Sequence, residues 1–208
     1  MARKKEIGRE KILDAAYNLA LKVGLNDLTA RSIAAEGDFS TQPIYLEFTN
    51  LDELRQAVLD RFVNYLTSDR KYEFDTGNAL IDLCMDYIHF CVNHTEFFSS
   101  IFVYGKQDTS NVADQMIDIG VKLFYKQYPN TNLTRYEVTK IVAAFWTAVT
   151  GVILSMTTQQ AMFGFEQIQD MLEQSLKNNI EARGKVLIGE NPLFNKSFER
   201  KFREYADD

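Results

Sequence analysis

The first eleven residues, MARKKEIGREK, hold the bases Arg3, Lys4, Lys5, Arg9 and Lys11 against only Glu6 and Glu10. A short basic arm of this kind can lie along phosphates, and the alternative is a frayed, solvated terminus. A second cluster spans residues 87–104, where Tyr87, Phe90, Phe97, Phe98, Phe102 and Tyr104 surround His89 and His94. Such density suits an apolar pocket for a hydrophobic or aromatic small molecule, or the filling of a helical core. Cys91 and His94 share a helix face, but two ligands do not make a metal site and no third is visible. The 2 histidines, the lack of a glycine-rich phosphate loop behind a strand and the lack of any nucleophile–base spacing leave nothing to assign to an enzyme. No cofactor is implied.

These groups need a scaffold. The 208 residues, 46% hydrophobic, suffice to bury a core in one large or two modest domains. Only 3 prolines and 10 glycines interrupt long runs of helix formers at three-to-four spacing, which predicts an all-α protein. Residues 1–50 carry as many acids as bases, so the net charge of −6 belongs to the remainder. The beginning has no apolar stretch behind its bases and is not a secretory signal, so a cytoplasmic location is expected. Cys84 and Cys91 lie roughly 10 Å apart along one helix, too far for a disulfide, in keeping with a reducing compartment. Residues 141–165 contain no charged side chain and are long enough to span a bilayer. The polar residues scattered through them, Thr147, Thr150, Ser155 and Gln159 among others, favour a helix buried between protein neighbours, and no membrane is expected.

Ile12, Leu13, Ala16, Leu19, Ala20 and Val23 mark one face of a first helix from about Gly8, with Gly24 at its C-terminal cap. Thr29 N-caps a short second helix that ends near Gly37, and Leu28 and Ile33 are placed for a hydrophobic staple. Ser40 is the cap expected for a third helix from Thr41 to about Phe48. Pro43 then falls in its first turn, where a missing N–H costs little, although the residue before a proline avoids the α region and can shift the start by one. Two short helices joined by a tight turn, with a longer helix behind, make a helix-turn-helix unit.

Residues 11–54, KILDAAYNLALKVGLNDLTARSIAAEGDFSTQPIYLEFTNLDEL, resemble the DNA-binding domain of the TetR family of bacterial transcription regulators. Gly24, Thr29 with Ile33 and Ala34, Ser40, Ile44 with Tyr45, and Phe48 carry the resemblance. It implies a three-helix DNA-binding domain over residues 1–54, with its motif at about 29–48, and a helical ligand-binding and dimerisation domain over 55–208. It also implies that Thr41, Gln42 and Pro43 meet base edges in the major groove. Glutamine can pair with adenine and threonine can touch a base edge or a thymine methyl, while proline offers van der Waals contact. Tyr45 matches the family's phosphate-binding tyrosine. Thr29, Arg31, Ser32, Lys4, Lys5 and Arg9 are the other DNA-binding candidates. Asp38 stands where the family usually has glycine, and Leu51 where it usually has lysine. Leu51 removes a phosphate contact and Glu47 adds an unfavourable charge, so binding is expected to be weak or strongly salt-dependent. Asn50 and Glu53 resemble a capping box at the start of the fourth helix.

After a breaker at KYEFDTGN, further helices are expected at about 78–93, 95–104, 110–128, 134–160 and 165–183. A last amphipathic piece presents Phe194, Phe198, Phe202 and Tyr205. Ala144, Ala148, Gly151 and Ser155 form a small-residue seam along which a partner helix can approach. Trp146, Val149 and Gly151 resemble a pattern of one group of TetR C-terminal domains, with Thr150 in place of the usual histidine. Tyr87, Phe98, Phe102 and Trp146 are the expected pocket walls. The expectation is a homodimeric repressor on a palindromic operator of double-stranded DNA, its recognition helices about 34–36 Å apart. An apolar or aromatic effector would release it. The alternative is a co-regulator of the same shape, binding a ligand or protein, with weak or no direct DNA binding.

Overall fold

Helix formers at three-to-four spacing, punctuated by caps and glycines, fold as that pattern dictates. The computed structural model describes residues 7–68, 72–105 and 110–183, and the basic residues Lys4 and Lys5 and the aromatic segment at 191–208 lie outside them. The described residues contain no strand. They form α1 (Arg9–Val23), α2 (Ala30–Glu36), α3 (Gln42–Glu47), α4 (Leu51–Thr67), α5 (Ala79–Asn93), α6 (Thr95–Phe102), α7 (Ser110–Gln127), α8 (Arg135–Thr157) and α9 (Phe165–Glu181). The chain divides into two compact units, one of Met1–Asp69 with Asn93–Gln115, the other of Arg70–Val92 with Met116–Asp208. The boundary expected at residue 54 therefore falls inside α4, and α6 returns to the first unit.

In that unit, α1 closes on Gly24, whose N–H donates to Ala20 O at 2.8 Å and whose φ of 80° then turns the chain out of the helix. α2 is capped reciprocally: Ser32 N donates to Thr29 Oγ1 at 3.1 Å and Thr29 N donates to Ser32 Oγ at 3.0 Å. Arg55 on α4 donates to the carbonyls of Leu25 and Leu28 at 3.1 and 2.8 Å, satisfying backbone acceptors between α1 and α2 that no helix can pair. α6 is welded to the same place. Leu25 N donates to the buried Ser100 Oγ at 2.9 Å, and Phe97 packs edge-on against Phe62 and Tyr17, with centroids 5.2 and 6.3 Å away. Burial pushes the Tyr17 hydroxyl up to about 12.

In the turn between α2 and α3, Asp38 takes the left-handed conformation, at φ 53°. Gly37 sits at φ −90° and is small for another reason: a Cβ there would lie 2.0 Å from the Phe39 ring. Thr41 rather than Ser40 occupies the cap of α3, with no side-chain capping bond, and the helix begins at Gln42 with Pro43 in its first turn. A non-glycine residue at positive φ carries strain of about 1 kcal/mol or more, part of which glycine returns as unfolded-state entropy. Asp38→Gly is therefore expected to stabilise the protein by about 0.5 kcal/mol, read as a shifted denaturation midpoint at unchanged slope.

In the second unit, α5 buries two carboxylates that no apolar pattern announces. Asp82 Oδ1 accepts from Thr76 N and Thr76 Oγ1, both at 2.7 Å, and Asp86 Oδ1 accepts from Glu73 N at 2.9 Å, so α5 holds the segment that precedes it. Among the described residues α8 alone is long and apolar enough to cross a membrane, and 61% of its most apolar stretch is buried inside the protein.

The start of α8 is tied to the end of α9 by a forked ion pair, Arg183 Nε and Nη2 donating to the two Glu137 oxygens at 2.7 and 3.0 Å. Arg183 first, then the Thr134 N–H, lowers the Glu137 carboxyl from 4.5 to about 2. A lowered folded-state value means that the pair's stabilisation is present above about pH 4.5 and is lost as pH falls from there towards 2. Arg183→Ala is expected to lower the melting temperature at neutral pH by roughly 2 °C, because the pair is partly exposed. The deficit should shrink as pH approaches 2, in a melting series across that window.

Candidate nucleic-acid interface

The helix-turn-helix of α2 and α3 is anchored from beneath and open above. Ile33, Ile44 and Phe48 are essentially inaccessible, which turns the other faces of α3 outward. Thr41 and Gln42 are exposed, Pro43 is half-buried, and Tyr45 is 59% exposed. These residues form one polar surface with hydrogen-bonding groups that can reach a base edge or a phosphate. Leu46, which no motif in the sequence marks, stands out from it at 76% exposure.

The cations divide sharply. Arg9 lies 3.9 Å from the Phe48 ring centroid and donates to Glu47 O at 2.6 Å and Glu53 Oε1 at 3.0 Å. It pins the end of α3 and the start of α4 to α1. Glu53 accepts as well from Thr49 N at 2.7 Å, and Thr49 and then Arg9 hold its carboxyl below the usual value. Asn50 Oδ1 caps Glu53 N at 2.8 Å, so the box expected here closes on Thr49 rather than on Asn50. Lys22 pairs with Glu36, Arg55 with Asp52 and Arg61 with Asp14. Lys11 lies over Phe39. Among the described residues of α1 to α4, Arg31 is the base left with no ion pair or ring, and it is exposed on the first turn of α2. Thr29 and Ser32 spend their hydroxyls on each other.

No family model matches the chain. An uncharacterized HTH-type transcriptional regulator of Haemophilus influenzae is 28% identical over 102 residues, covering 47% of this chain and 50% of that protein. The chain thus spans about half the length of the curated relative that it matches. A TetR-family transcriptional regulator from Streptomyces coelicolor superposes with a TM-score of 0.71 at 15% identity, over 99% of this chain and 91% of that one. The chain has the TetR fold. MexZ, a repressor responsible for antibiotic resistance in Pseudomonas aeruginosa, aligns with a TM-score of 0.57 at 16% identity, over 82% and 94% of the two chains. A TetR-like regulator from Rhodococcus gives 0.57 at 18% identity, over 86% and 98%.

In this TetR fold the expected C-terminal sites fall as follows. Ala148, Gly151 and Ser155 line an open groove of about 830 Å³ between α8 and α9, floored by Val152 and Leu172, whereas Ala144 is buried. Of the four expected pocket walls, two lie in each unit. Tyr87 and Trp146 meet edge-on at 5.3 Å in the second, where Trp146 Nε1 donates to Met116 O at 3.1 Å. Phe98 and Phe102 stack at 5.2 Å in the first. Cys84 and Cys91 are buried free thiols whose pKa burial raises, and no group of three metal-ligating side chains occurs among the described residues.

Proposed function

We propose that this protein is a ligand-responsive transcriptional regulator that binds double-stranded DNA through α3 and acts as a homodimeric repressor on a palindromic operator. The carrying observation is the outward face of α3, with Thr41, Gln42 and Tyr45 exposed over a buried Ile44 and Phe48. The repressor reading draws on MexZ, and the homodimer on the groove lined by Ala148, Gly151 and Ser155. The effector is a small apolar or aromatic molecule that parts Tyr87 from Trp146, and the site of action is the bacterial cytoplasm. Ligand and DNA act on each other through differential affinity for two states. Selection of bound fragments from the source genome, followed by mobility shift across a salt series, tests the reading. Retention of specific fragments with a steep salt slope supports it, and their release on adding an effector from an aromatic library supports the coupling.

One observation favours a second reading. Arg9, Lys22, Arg55 and Arg61 are all engaged within the unit, so a co-regulator that binds a ligand or protein and scarcely touches DNA is its natural form. Binding to no genomic fragment even in dilute buffer would decide for it.

A further inference from the structure

The side chain of Leu46 is the most exposed large apolar group in the described residues, at 76%. Packing does not call for it. The core contacts of α3 are made by Ile44, and Phe48 closes the helix from below. A leucine held out of water by nothing contributes no burial to the fold, and a polar residue would serve the free surface as well. Its place, however, is specific. It follows Tyr45 directly and comes four residues after Gln42, so Gln42 and Leu46 are neighbours on one face of α3. Any ligand that meets the glutamine amide meets an isobutyl group beside it.

Phosphate offers nothing to that group, which has neither charge nor donor, and the adjacent Glu47 disfavours phosphate further. Within the major groove one base carries an alkyl substituent, the 5-methyl of thymine, and apolar side chains recognise it by contact. We infer that Leu46 is a specificity-determining residue that reads a thymine methyl in each half-site. The inference rests on the proposed DNA-binding role of α3 and extends it to the base chemistry of the operator. Four residues of helix rise roughly 6 Å, about two base-pair steps, so the thymine lies within about two base pairs of the position read by Gln42.

The test uses the full chain and a duplex enriched from a random-sequence pool. Each thymine is replaced in turn by deoxyuridine, which removes only the methyl. The wild-type protein is expected to lose about fourfold in affinity per contacted methyl, at one thymine of each half-site. Leu46→Ala should bind the thymine duplex correspondingly less well and be indifferent to uracil at that position. Leu46→Met, which keeps an apolar side chain, should retain much of the discrimination. Melting temperature and circular dichroism of both variants should match wild type. Methyl sensitivity that persists unchanged in Leu46→Ala, or a wild type indifferent to every uracil, overturns the assignment while leaving DNA binding intact. A changed oligomeric state in Leu46→Ala likewise overturns it, in favour of a protein contact. Failure to enrich any duplex removes the DNA-binding reading itself, and the inference falls with it.

Discussion

Gly24→Ala is expected to destabilise the first unit by about 3 kcal/mol or more. Two costs add at this position. Its φ of 80° and ψ of 167° lie in a region essentially restricted to glycine, worth about 1–3 kcal/mol for any other residue. A Cβ there would also stand 2.9 Å from Glu96 O and 2.9 Å from Ser100 Cβ, and both atoms belong to α6, so relief means moving one helix off the other. Overpacking of this kind costs about 1–3 kcal/mol. Gly77 provides the internal control. It has a φ of 82°, and nothing would approach its Cβ within 4 Å, so Gly77→Ala should show the backbone cost without the packing cost. Urea denaturation of the two variants separates the terms. Equal destabilisation would mean that the seam between α1 and α6 accommodates the added Cβ without a packing cost.

That seam also shows where a sequence stops being legible. Gly24, Thr29, Asn50 and Pro43 act on neighbours within one turn of helix, and each was readable because its signal is local. The helix ends followed from the same rules to within about three residues, the largest gap being at α8, expected to run to about 160 and ending at Thr157. Whether α6 packs on α1 is decided by Ser100, Phe97 and Leu25, residues separated by up to 75 positions, and no periodicity encodes that pairing. Arg9 is the sharper case. By type and place it belongs to a basic arm, yet the fold pairs it with Glu53, 44 positions on, a partner that no local signal announces. Asp82 and Asp86 were hidden for the opposite reason: acidic residues on a helix ordinarily mark its wet face, and here they bind the backbone of the segment before α5. Leu46 carries no signal of its own in the sequence: two residues after Ile44 it lies about 200° round the helix, and its exposure follows only once Ile44 is fixed in the core.

Arg31→Ala is expected to weaken operator binding by about 10- to 100-fold near physiological salt and to lower the slope of log K against log[salt] by about 2 in a dimer. The magnitude follows from scarcity. With Arg9, Lys22, Arg55 and Arg61 committed to Glu53, Glu36, Asp52 and Asp14, Arg31 is the base in α1 to α4 whose guanidinium needs no release before it meets a phosphate. Among the described residues of α1 to α4, few other cations are available to mask its loss. Arg31→Lys should preserve the slope, which counts charges, while losing part of the affinity, which depends on the planar fork. Arg9→Ala discriminates between clamp and ligand. Because its guanidinium is spent on Glu53, on Glu47 O and on the Phe48 ring, that variant should melt earlier and bind less tightly with the salt slope unchanged. If instead Arg9→Ala flattens the slope and Arg31→Ala does not, the two roles are exchanged, and α1 rather than α2 supplies the phosphate contact.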